Sequence, residues 1–153
     1  MTFPNGAHAV ELEVDSETGK VRLQRYLVVD DYGVIVNPLL VQGQVHGAIA
    51  NGIGQALLEQ VKFDPQTGQP LTGSFMDYAL PKADDLVGYQ IEFQGTPCIT
   101  NPLGVKGCGE GGTVAAVPAV INAVVDALSD YGVYHLDGPV TSSKIWSLLR
   151  NLG

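Results

Sequence analysis

The chain has 153 residues, 45% hydrophobic and 16% charged, with 16 Asp and Glu against 8 Lys and Arg, for a net charge of -8. Such a composition fits one globular domain, residues 1–153, with a buried core, and excludes a disordered chain. The acidic balance argues against DNA or RNA as a partner and against a polybasic contact with a membrane surface.

Two cysteines, Cys98 and Cys108, are too few for a disulfide framework or a four-thiolate metal site. The opening "MTFPNGAHAV" has neither a basic nor an apolar segment of the kind that begins a secretory signal. Apolar runs are interrupted by Gly, Asn or Asp before they reach a membrane-spanning length. The expectation is a cytoplasmic protein with no membrane partner.

The first element in chain order is a hairpin. Ala9, Val10, Leu12 and Val14, then Val21, Leu23, Tyr26 and Val28, alternate with polar residues on either side of a turn at Ser16–Gly19. Asp30-Asp31 at the end of the second strand, and Asp84-Asp85 further on, read as solvated turn acids. Asn37-Pro38 is a helix start, with Asn as N-cap and Pro at the first helical position. The run that follows places Leu40, Val41, Val45, Ala48, Ile49, Ile53, Ala56 and Leu57 at helical spacing. It also holds Gly43, Gly47, Gly52 and Gly54, each costing about 1 kcal/mol relative to Ala. Those glycines require a close neighbour, either a packed helix or a cofactor.

Short extended pieces and turns come next, with a strand over Tyr89–Gln94. A helix is expected from Val114 to Leu128, with Pro118 near its start. A last amphipathic helix, Ser142 to Leu149, would present Ile145, Trp146 and Leu149 to a core. The class is α+β: an N-terminal β-hairpin and further short strands packed with a glycine-rich helix and two C-terminal helices.

The chemistry-bearing stretch is "GVKGCGEGGTVAAVPAVINAVVDAL", residues 104–128. Gly107 to Gly112 spells G-x-G-x-x-G, but "CITNPLGVK" is a poor strand to precede a dinucleotide loop, and Glu110 within the loop would repel a pyrophosphate. Glu110 itself has two readings. It is a helix-capping carboxylate with no reactivity, or it is a general base, held between the field of the helix N-terminus and burial in a cleft. His8, His46 and His135 show no ligand spacing, so no metal site is expected from them. Cys108 reads as a small residue packed in the loop.

"GQVHGAIANGIGQALLE", "LTGSFMDYALPKADDL" and "NPLGVKGCGEGGTVAAVPAVINAVVDAL", in this order and spacing, closely resemble the molybdenum-binding large subunit of the xanthine oxidase family. The nearest branch is that of the carbon-monoxide-dehydrogenase-like and aldehyde-oxidase-like molybdenum hydroxylases. The resemblance runs from about Asn5 to about Asn151 and implies the C-terminal part of such a subunit. It implies that Glu110 is the base beside molybdenum, taking a proton as an oxygen attacks the electrophilic carbon of the substrate. It further implies that Gln44 and Gly109 are cofactor-binding positions, with Gln44 hydrogen-bonded to the pterin. Cys108 departs from the small apolar residue common there.

The same resemblance implies a molybdopterin-type cofactor in an assembled enzyme, with the remainder of the large subunit and iron–sulfur and flavin subunits as partners. The substrate would be an aldehyde, an N-heterocycle or carbon monoxide. No Cys-x-x-Cys run is present to hold a cluster. By itself the chain is expected to bind no cofactor, to be inactive, and to self-associate through apolar surface that faces the missing part. The alternative is a non-catalytic folded remnant or interaction module of that family; the intact Gln44 and Glu110 favour the catalytic account.

Overall fold

A computed structural model describes residues 1–152. Two long strands, β1 (Asn5–Val14) and β2 (Val21–Asp31), form the expected antiparallel hairpin. Its turn closes through Gly19, whose φ of 69° suits glycine. The register shifts between Glu11 and Leu12, which pair with Arg25 and Leu23, so Gln24 is the extra residue of a β-bulge. The bulge explains why Leu23 and Tyr26, three residues apart, are both buried.

The third strand, β3 (Tyr89–Phe93), adds to β2 in parallel, giving a sheet of order β1-β2-β3 with β2 in the middle. Its crossover contains helix α1 (Pro38–Leu57) and then extended pieces through which Phe63 bridges Pro70. As the sequence predicts, Asn37 caps α1, its side chain accepting from the Leu40 N–H at 3.3 Å. The buried face of α1 is Val45, Ala48, Ile49, Gly52, Ile53 and Ala56. Leu40, expected on that face, is 69% exposed, because the first turn of α1 projects beyond the elements that cover the rest.

Helix α2 (Gly111–Ala127) begins three residues before the expected start and packs against both α1 and β1. Pro118 therefore lies in its interior rather than near its start. The glycines explain the early start. A Cβ at Gly112 would sit 2.9 Å from the Ala48 Cβ, and one at Gly52 would sit 2.5 Å from the Ala116 Cβ. The two backbones meet there more closely than side chains allow, and Thr113 Oγ1 donates to the Ala48 carbonyl at 2.9 Å. Of the four glycines in α1, Gly52 and Gly54 thus face packed neighbours, whereas Gly43 and Gly47 face open space.

Helix α3 (Ser142–Leu152) closes a second cluster, with Ile145 buried against Val124, Leu128 and Val140 and with Leu148 and Leu149 at its margin. Trp146, expected in the core, is 43% exposed with the Arg150 guanidinium 5.7 Å from its ring centroid. The reason is angular: one residue is about 100° of helix, so 145, 148 and 149 share a face that 146 leaves. Among the described residues no helix is long and apolar enough to cross a membrane.

The two classes of glycine in α1 separate by experiment. Gly52→Ala is expected to destabilise the chain by about 1–3 kcal/mol through overpacking. Gly47→Ala, which meets nothing, is expected to stabilise it by about 1 kcal/mol. Urea unfolding of the two variants checks this, and shifts of the same sign would contradict the packing described.

Candidate functional site

The carboxyl end of β2 carries Asp30, Asp31 and Tyr32, all buried. The two acids are not the solvated turn residues that their sequence suggested. Asp31 Oδ1 accepts from the backbone N–H of Gly33 at 2.8 Å and of Thr96 at 3.0 Å, and Lys106 Nζ lies 2.6 Å from Oδ2. Both side chains of that ion pair are about one-tenth exposed. Lys106 first, and then the Gly33 N–H, hold the Asp31 carboxyl at about 2. Asp84 and Asp85 do stay exposed, and Asp85 accepts from the Lys82 N–H at 2.9 Å.

Asp30 turns the other way. Its Oδ2 accepts from the Tyr32 hydroxyl at 2.7 Å, and its Oδ1 lies 3.3 Å from His8 Nε2. A carboxylate only accepts, so that nitrogen of His8 is the donor. His8 Nδ1 in turn lies 2.8 Å from the Tyr26 hydroxyl. The Asp30 carboxylate fills the place a Cβ would take on Gly6, which is why β1 carries glycine there. Burial first, and then the bond to Asp30, push the Tyr32 hydroxyl upward, so it stays protonated and keeps donating.

The glycine loop lies over this end of β2. It is held at its start by Lys106, whose N–H also donates to the Tyr32 carbonyl at 3.0 Å, and by the bridge of Val105 to Gly33. In its middle, Gln44 Nε2 donates to the Gly109 carbonyl at 2.7 Å, joining α1 to the loop. At its end Gly111 packs on the Tyr32 ring so closely that a Cβ would sit 2.5 Å from the hydroxyl oxygen. Cys108 is half-buried against the core, as a small packed residue.

Glu110 is the residue before α2, at φ -125° and ψ 1°, and is exposed. Its side chain makes no capping hydrogen bond to the helix. The capping reading is therefore overturned, and the carboxylate is left available. It lines a cleft of about 570 Å³ together with Gly6, Asp30, Tyr32, Gly109 and Val114. That volume lies in the range of small-molecule sites, about 300–1,000 Å³. The loop residues Gly107 and Gly109 are open to an approaching molecule, since a Cβ on either would meet nothing within 4 Å.

Gln44, Gly109 and Glu110 are thus brought to one place. Asp30, Asp31, Tyr32, Lys106 and His8, which support that place, were not legible as site residues in the amino-acid order. Their only local signals, paired acids before Tyr-Gly and a lysine before a glycine loop, are also those of an ordinary surface turn. The other histidines lie elsewhere: His46 tilts against the Tyr89 ring at 5.3 Å, and His135 pairs with Asp137 at the surface. Among the described residues no group of three or more His, Cys, Asp or Glu side chains is arranged to hold a metal ion.

Residues 1–87 match the family described as molybdopterin cofactor-binding domain. The chain is 42% identical over 143 residues to the nicotine 6-hydroxylase large subunit of Paenarthrobacter nicotinovorans, covering 94% of this chain and 17% of that protein. It is 36% identical over 149 residues to the carbon monoxide dehydrogenase large chain of Hydrogenophaga pseudoflava, covering 97% of this chain and 18% of that one. The solved structure of reconstituted carbon monoxide dehydrogenase from Oligotropha carboxidovorans superposes with a TM-score of 0.96 at 34% identity, over all of this chain and 19% of that one. The chain therefore spans less than a fifth of the length of these relatives.

The Asp31 carboxyl sets a pH dependence. Its folded value of about 2 lies below the ordinary 3.8. The unfolded chain thus binds the proton first, and the stabilisation is fully present above pH 3.8 and lost as pH falls through about 2. Urea midpoints followed from pH 5 to 2 are expected to fall more steeply for the native chain than for Asp31→Asn. Parallel curves would remove Asp31 from the account.

Proposed function

The chain belongs to the molybdopterin cofactor-binding domain family, and from that premise we propose that it is the segment of a molybdenum hydroxylase that supplies the catalytic base, Glu110. It would correspond to the C-terminal part of a large subunit. The observation that carries this reading is an exposed carboxylate that caps nothing, fixed on a glycine loop at the edge of a cleft.

The surface beside the cleft, where Gln44 of α1 meets the loop at Gly109, fits a large polar cofactor. Gln44 has a second N–H and an acceptor oxygen to offer beyond its bond to Gly109. Gly43 and Gly47 on α1, and Gly107 and Gly109 on the loop, leave backbone bare of neighbouring atoms, so a ligand could approach within contact. Gln44 and the Gly109 backbone would hold the pterin. The bound molybdenum centre would supply the oxygen that is transferred and the site that accepts electrons.

Glu110 then has one task. Its carboxylate would hold a proton removed from the attacking nucleophile and later release it to water. An exposed carboxylate that neither caps the helix nor sits in an ion pair is free to do both. Gln44 fixes Gly109, the residue before the base, and so couples cofactor binding to base position. The substrate class follows the relatives: a small aldehyde, an N-heterocycle or carbon monoxide.

The assembled enzyme requires the remainder of the large subunit, with iron–sulfur and flavin subunits to carry electrons away. Val36, Leu39 and Leu40 are 69–77% exposed around the start of α1. They form the surface on which the remaining large-subunit chain would pack, and through which the isolated chain would self-associate. Alone, the chain would hold no cofactor and show no turnover.

The test is purification from the source cell, following this chain and assaying molybdenum in the same fractions. Molybdenum co-eluting with larger chains is expected. Glu110→Gln in that assembly should lower turnover by about 10²–10⁴-fold with molybdenum content unchanged. A lone chain without molybdenum would favour the non-catalytic interaction module, and an active Gln variant would exclude Glu110 as the base.

A further inference from the structure

We propose that Asp30 and Asp31 are positioning residues for Glu110, each holding one end of the loop that carries it. The inference rests on Glu110 being the base, as proposed above. Neither acid needs to touch a substrate. Asp31 acts through Lys106, four residues before Glu110, and Asp30 acts through Tyr32, on which Gly111 rests one residue after it.

A glycine loop cannot fix its own conformation, because Gly107 and Gly109 have no side chains to pack and no neighbours that would confine one. β2, by contrast, is the middle strand, paired on both sides, with Asp30 opposite Gly6 on one flank and Phe93 on the other. Asp30 and Asp31 carry the rigidity of that strand across to the loop. One carboxylate gathers Gly33, Thr96 and Lys106; the other gathers Tyr32 and His8. Burying adjacent carboxylates is unfavourable unless each is fully partnered. Apolar residues would end the strand at lower cost, so stability alone does not account for the pair. Holding a reacting group in place does.

Two variants test the two anchors, and in each Asp30 keeps its contact with His8. Asp31→Asn combined with Lys106→Met removes both members of the ion pair. Tyr32→Phe keeps the ring under Gly111 and deletes only the hydroxyl that donates to Asp30. Hydrogen exchange on the chain itself reads the result. Amides of residues 104–112 are expected to exchange about tenfold faster in each variant, while those of β1 and β2 stay as in the native chain. Lys106→Arg, which keeps the cation, should restore slow exchange. Loop exchange that does not change, or that rises together with the whole sheet, would overturn the proposal.

In the assembled enzyme the same variants should lower kcat by about 10²-fold with KM unchanged, the effect of a displaced reacting group. Faster loop exchange with kcat unchanged would show that the anchors do not place the base, and would also overturn it. If Glu110→Gln leaves turnover intact, the functional reading fails by itself, and the exchange result still reports on the anchoring.

Discussion

The close passage of α1 over α2 determines where everything else in the site lies. Gly52 faces Ala116, and Gly112 faces Ala48, at separations that admit no further carbon. Because such a contact has no side chains to adjust, it fixes both the spacing and the axial register of the two helices. The Thr113 hydroxyl on the Ala48 carbonyl adds a directional bond at the same level. With the first turn of α2 held there, Gly111 can lie only on Tyr32, and Glu110 must leave the helix at the mouth of the cleft. A glycine-rich start, poor for an isolated helix, is what allows this helix to begin where it does.

Beneath that start the character of the interior changes. Leu23, Tyr26 and Val28 run along β2 as part of an apolar cluster with Val45, Ile49 and Ile53. Two residues further on, the carboxylates of the same strand meet polar partners, namely His8, the Tyr32 hydroxyl, Lys106 and backbone N–H groups, while Phe93 packs edge-on against the Tyr32 ring. The buried oxygens of Asp30, Asp31 and Tyr32 each have a partner, as a low-dielectric environment requires. The protein thus has a conventional core under the helices and a hydrogen-bonded platform under the loop, with β2 belonging to both.

Much of this architecture was legible in the amino-acid order, and the rest depends on tertiary contacts. The hairpin, the Asn37 cap and β3 follow from alternation, cap chemistry and β-branched or aromatic content, all of which are local. The bulge at Gln24 left no mark beyond a three-residue spacing between Leu23 and Tyr26. Parallel pairing of β3 with β2 has no local signature at all. Gly111 and Gly112 resemble loop residues by propensity, and only the packing on Tyr32 and Ala48 makes them helical. Gln44 stood out only by resemblance to a family, whereas Glu110 was marked first by its place in a glycine loop before a helix, and the resemblance chose between its two readings. Nothing in the order of residues showed that Gln44 reaches the Gly109 carbonyl, or that Asp30 and Asp31 lie inside.

The parallel pairing of β2 with β3 has a consequence in time. The β1–β2 hairpin closes over a short turn, whereas Tyr26 meets Tyr89 only after the whole crossover has been ordered. Loop-closure entropy makes the first event fast and the second slow. Lys106 and Gln44 find Asp31 and Gly109 across still longer stretches of chain. The cleft is accordingly assembled after the hairpin and α1 exist as a template. During biosynthesis Asp30 would find Tyr32 and His8 within the hairpin, whereas Asp31 would wait for its cation until Lys106 and the glycine loop emerge to cover it.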